Sequence, residues 1–141
     1  MPASHLTSAH LRGPIPDALW QQLGAEFGLP GLEAVRGRLS QLHEDPEPVM
    51  QRLVRVFSAD GTYCPGFQFR EDLSLHPVVL RLFERAMSLG IAHNYFAAWM
   101  VTVCPALRDS RPVDQLDRLA PHVLMAALER SFGSGAGERR T

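Results

Sequence analysis

Residues Trp99 to Leu116 read WMVTVCPALRDSRPVDQL, and the two prolines in that run constrain the fold more than any other feature of the chain. Proline holds φ at about −65° and has no N–H to donate, so it fits the first turn of a helix and ends one elsewhere. A tryptophan-bearing apolar helix therefore stops at Pro105, a short polar turn follows, and Arg111-Pro112-Val113 opens another helix. Pro105 and Pro112 set the angle between two packed elements, and the rest of the chain has to be built around that corner.

Apolar spacing on both sides of the corner is mostly helical. Leu19, Trp20, Leu23 and Phe27 recur at helical intervals behind Asp17, a residue suited to cap a helix start. Gly28-Leu29-Pro30-Gly31 breaks that helix, and a second one puts Leu32, Val35, Leu39 and Leu42 on one face. Pro46 and Pro48 mark a third start, with Val49, Met50, Leu53 and Val54 behind them. Val54 to Phe57 and Thr62 to Phe69 then flank Ala59-Asp60-Gly61. Asp-Gly between alternating β-branched and aromatic residues predicts a hairpin. In its second strand Phe67 and Phe69 share a face as core, buried with Trp99, Leu82, Phe83 and Leu124, while Gln68 points the other way, free for a polar contact.

Pro77 to Leu89 predicts a helix with Val78, Val79, Leu82, Phe83 and Met87 inward, closed by Gly90. Residues 94–103 form the tryptophan helix and 113–119 a short one. Pro121 to Phe132 is the last, with Val123, Leu124, Ala127 and Leu128 inward. The fold class is mainly α: a small helical domain with one β-hairpin and a helical N-terminal part. Residues 1–53 make an arm and that N-terminal part, 54–132 the main domain, and 133–141 a flexible, glycine-rich tail.

Composition narrows the function. A chain of 141 residues, 45% hydrophobic and 21% charged, can bury a core of its own. No run of about 18 apolar residues exists, which excludes a helical membrane span, and residues 1–14 lack the apolar and basic regions of a secretory signal. Cys64 and Cys104, without CxxC spacing, read as core thiols in a reducing cytoplasm, the expected location. Every basic residue is arginine and the net charge is −1, so any DNA contact needs a local basic face. The six histidines are scattered, and His43-Glu44-Asp45 reads as a solvated turn rather than a ligand cluster. Neither a phosphate-cradling glycine loop nor a nucleophile elbow occurs. The expectation is a binding protein with no catalytic residue, metal or cofactor.

Phe67-Gln68-Phe69, Trp99, Pro105, Leu107, Pro112 and Leu116 form an ordered pattern over residues 54–132. That pattern resembles the toxin-binding domain of the Xre/MbcA/ParS antitoxins: an aromatic-Gln-aromatic strand, a tryptophan helix, then Pro-x-Leu-x-Gly-x-x-Pro and a leucine. Asp109 stands where the family has glycine, and aspartate tolerates the left-handed conformation better than most residues. The resemblance implies the antitoxin of a type II toxin–antitoxin pair. Its partner is a cognate RES-type toxin that consumes NAD, neutralised when the antitoxin's C-terminal part covers or enters the toxin's cleft. The implied toxin-facing residues are Arg108, Arg111, Val113, Arg130, Arg139 and Arg140. Trp99, close to Tyr95 and Phe96, reads as core.

Leu23 to Pro30 is also similar to the first helix and turn of a helix-turn-helix, which would present Glu33, Arg36 and Arg38 to the chain's own promoter DNA. A plain helical hairpin that dimerises or caps the main domain accounts for the same residues. Three functions stand at this point: an antitoxin in a homodimer or in a hetero-oligomer with its toxin, a DNA-binding regulator without a toxin partner, and a helical scaffold.

Overall fold

Proline marks where most of the helical segments begin, because its missing N–H falls among the donors that a first turn leaves unpaired. The computed structural model describes residues 13–133. Helix α1 (Asp17–Phe27) follows Pro16, and α2 (Leu32–Ser40) follows Gly31. Helix α3 (Glu47–Met50) follows Pro46, and α4 (Pro77–Ser88) begins on a proline of its own. Helix α5 (His93–Met100) carries Trp99, and α6 (Pro121–Leu128) runs on into a wider π-type turn, Glu129–Gly133. One-turn 3-10 segments lie at Gly66–Gln68, Pro105–Leu107 and Pro112–Gln115. Strands β1 (Val56–Ser58) and β2 (Gly61–Tyr63) pair antiparallel, with Val56 opposite Tyr63. The fold is mainly α with one β-hairpin, as the spacing predicts.

Helix α5 runs through the centre, and its residues from Phe96 to Met100 are all buried. Around it the main core gathers Leu19 and Leu23 from α1, Val79, Leu82 and Phe83 from α4, and Leu124 and Leu128 from α6. The indole N–H of Trp99 donates to Ser131 Oγ at 2.9 Å, so the one polar atom of that ring is satisfied inside the core. Val35, Leu39, Met50, Leu53 and Cys64 form a smaller cluster. Helices α1 and α2 thus bury their apolar faces in different clusters.

Several sequence expectations need correction. Asp17 is the first residue of α1 and not its cap; Pro16 occupies that place and no side chain caps the helix. The second strand ends at Tyr63, because Pro65 cannot donate to a ladder and the chain turns into the 66–68 segment. Phe67 and Phe69 therefore do not share a sheet face: Phe67 enters the main core, while Phe69 is half-buried against the smaller cluster. Gln68 does make polar contacts, but from inside, at 2% exposure. Helix α5 stops at Met100, well short of 103, since a proline ring at 105 clashes with a helical carbonyl at 101. Residues 113–119 give only the 3-10 turn. Leu42, Met87 and Val123 face outward: Leu42 lies beyond the end of α2, and the other two sit beside the buried Ala86 and Leu124.

Two glycines are required by geometry. Gly90 has φ 76°, and its N–H donates to Met87 O at 3.1 Å while that of Ile91 donates to Ala86 O at 2.9 Å, closing α4 as expected. At Gly66 the constraint is proximity. Its N–H reaches Gly28 O at 2.9 Å, and a Cβ there would overlap the Phe27 carbonyl. The outer edge of β1 is held by side chains from the start of α5. Arg55 N donates to His93 Nδ1 at 3.0 Å, Phe57 N donates to Asn94 Oδ1 at 2.8 Å, and Asn94 Nδ2 donates to Phe57 O at 2.9 Å.

Two outcomes follow for stability. Gly66→Ala forces backbone apart and should cost about 2–3 kcal/mol, a fall of roughly 10 °C in thermal midpoint. Gly24→Ala, inside α1 with its nearest neighbour Leu29 Cβ at 3.6 Å, should hold or raise the midpoint. Burial, with the Arg55 charge adding to it, lowers the pKa of His93, which accepts a backbone hydrogen bond through Nδ1 as a neutral ring. The unfolded chain takes up a proton as pH falls below about 6.5 while the folded one does not, so stability declines below that pH. Thermal midpoints from pH 7.5 to 5.5 should fall in the wild type and fall less in His93→Gln.

Candidate functional site

The corner predicted from Pro105 and Pro112 is a closed loop hung from the end of α5. Cys104 and Ser110 pair across its neck, with Cys104 N donating to Ser110 O at 2.9 Å. The Cys104 carbonyl accepts from both Leu107 N at 2.9 Å and Asp109 N at 3.0 Å. Ser110 Oγ closes the loop by donating to Leu107 O at 2.6 Å. Between them Arg108 and Asp109 are both left-handed, at φ 56° and 60°. Leu107, Pro112 and Leu116 are buried, and Leu107 and Leu116 join the main core that holds Trp99.

Arg108 is exposed at the tip of this loop, and Val113 is half-buried against the main core. Arg111 is engaged within the chain. Its two terminal nitrogens donate to Glu26 at 2.8 and 2.6 Å, its Nε donates to Asp114 at 2.8 Å, and its guanidinium lies 5.8 Å from the centre of the Phe27 ring. The hydrogen bonds that Arg111 donates to Glu26 and then to Asp114 raise its pKa, and the bond from Arg111 lowers that of Glu26. Arg111 therefore ties the corner to the last turn of α1. Arg130 is exposed in the turn after α6, and Arg139 and Arg140 lie outside the described residues.

On α2, Glu33 and Arg38 are exposed and Arg36 is half-buried. Arg36 pairs with Glu33 at 3.3 Å and with Glu47 at the start of α3. On the outward face of α2, Arg36 thus sits between carboxylates and Arg38 is exposed. Arg111 of the corner reaches the N-terminal helices through its hydrogen bonds to Glu26.

A groove of about 580 Å³ opens beside the corner, lined by Ala106, Leu107, Arg108, Ser110, Gln115, Leu119 and Val123. The sequence gives no sign of it, because its walls come from three segments. Among the described residues no group of three or more His, Cys, Asp or Glu side chains could hold a metal ion. His43, Glu44 and Asp45 are all exposed, and Cys64 is a buried free thiol whose pKa burial pushes up to about 11. No described helix is long and apolar enough to cross a membrane. Comparison with protein-family models, with curated proteins and with solved structures finds no match for this chain.

Arg111→Ala should lower stability by about 1–2 kcal/mol, because a forked, partly buried guanidinium is lost and Glu26 is left unpaired. A double-mutant cycle with Glu26→Ala should return roughly 1 kcal/mol of coupling. The pair's contribution is present at neutral pH and is lost as pH falls through the lowered pKa of Glu26. Denaturant unfolding of the single and double variants measures both.

Proposed function

We propose that this chain is the antitoxin of a bacterial type II toxin–antitoxin pair, acting in the cytoplasm by binding a RES-type, NAD-degrading toxin. The observation that carries this reading is the conformation of Asp109. In the pattern that the chain resembles, glycine holds that place between two prolines, and here the residue standing in for it has φ 60°. A left-handed residue is what such a glycine supplies. Around it Pro105, Leu107, Pro112 and Leu116 fall in the order of the family pattern, with Trp99 buried beneath them. The aromatic-Gln-aromatic element departs from the pattern, since it lies on a 3-10 turn and not on a strand.

Neutralisation by covering a toxin's surface needs no bond-making group on this chain, only a rigid shape that the toxin recognises. The corner has that rigidity, because its loop is closed by backbone hydrogen bonds and supported by buried leucines. The regulator without a toxin partner draws less support. On the face that would meet DNA, Arg36 is already paired with Glu33 and Glu47.

Co-expression with the toxin encoded in the neighbouring reading frame should give a complex that co-purifies and no longer consumes NAD. A toxin that remains fully active in a stoichiometric mixture with this chain contradicts the proposal.

A further inference from the structure

Helix α6 carries more apolar surface than the fold buries. Spacing places Val123 on its inner face, yet Val123 is 37% exposed and forms a wall of the groove beside the corner. Leu119, half-buried, and Ala106 continue that wall, and Ser110 and Gln115 add polar groups. Arg108 is the one charged side chain lining the groove, and no ion pair to it forms among the described residues. The loop closure that makes residues 108 and 109 left-handed fixes the backbone from which this guanidinium projects.

We propose that this groove is the docking site for one apolar segment of a partner protein, a segment that carries a carboxylate to pair with Arg108. Exposed apolar walls favour a segment that covers Leu119 and Val123 with side chains of its own, the mode by which amphipathic segments lie in grooves. The sign of the charge selects the occupant, because a planar guanidinium matches a carboxylate in two parallel hydrogen bonds. A second groove, of about 510 Å³ between α1 and the hairpin, is lined by Asp17 and Asp60 and by no cation. It has the opposite preference. With the toxin as partner the inference rests on the antitoxin reading, whereas the groove's preference for an acidic apolar segment is measurable without it.

Two arms separate these. In the first, the ¹⁵N-labelled chain is titrated with a short acetylated leucine-rich peptide carrying one glutamate, and with the same peptide carrying lysine instead. Shifts should map to residues 106–110, 115, 119 and 123 for the glutamate peptide only, and Arg108→Glu should abolish them. Shifts elsewhere, equal binding of both peptides, or no binding overturns the proposal. In the second arm, Arg108→Glu and Val123→Asp should each weaken the complex with the neighbouring toxin about tenfold or more, since like charge or a polar group then faces the segment. Both sites are exposed, so thermal midpoints should stay near the wild type, and Arg38→Glu on α2 should bind as the wild type does. Undiminished binding by both groove variants overturns the proposal. If the wild-type chain itself does not bind the toxin, the antitoxin reading fails and the peptide arm alone decides the groove.

Discussion

One buried amide, that of Gln68, holds together segments that no sheet joins. Its Oε1 accepts from Val54 N at 2.8 Å, and its Nε2 donates to Val54 O at 2.9 Å and to Pro65 O at 3.0 Å. The Gln68 backbone carbonyl also accepts from His76 N at 2.8 Å, at the start of α4. Burying an amide is unfavourable unless its groups are paired, and among the described residues none of the buried side-chain polar atoms lacks a partner. A hairpin with three residues per strand cannot stand alone in water. It is held on one side by Gln68, through the adjoining Val54, and on the other by His93 and Asn94, while Gly31 of the α1–α2 connection bridges to Tyr63. Remove the amide and the Val54 and Pro65 backbones lose the side chain that joins them.

The corner depends on this framework in turn. Trp99 sits on α5 at the centre of the core, and the loop that follows it turns Leu107, Pro112 and Leu116 inward and Arg108 outward. Arg111, which the resemblance assigns to the toxin-facing set, reaches back to Glu26 and Phe27. Inward apolar residues and an internal ion pair therefore hold the shape, and the groove beside them is lined by the exposed Arg108 and Val123 and the half-buried Leu119.

The helices were legible because their apolar residues recur every three or four places and proline or glycine bounds them. Pro77 and Gly90 bracket α4, and Asp60-Gly61 located the hairpin turn. Errors arose where partners distant in sequence decide the outcome. Strand alternation put Gln68 on a solvent face, but its partner Val54 lies 14 residues away and pulls it inside. His93 and Asn94 look like ordinary helix-start residues, and only the fold brings β1 against them, 37 or 38 residues upstream. Of the residues assigned from sequence to the site, Arg108 faces a groove, Arg111 serves the fold, and Arg36 is held by Glu33 and Glu47. Charge on a side chain is readable from sequence; the partner that neutralises it is not.

If Gly66 and Arg111 join the N-terminal helices to the rest of the fold, residues on both sides of position 53 open together. Native-state amide hydrogen exchange under increasing denaturant measures this directly, by comparing Leu23 in α1, Val54 beside Gln68, and Leu128 in α6. The account predicts one shared opening free energy, equal to that of global unfolding, at all three sites. Exchange at Leu23 through a separate, lower-energy opening, with Leu128 still protected, would contradict it.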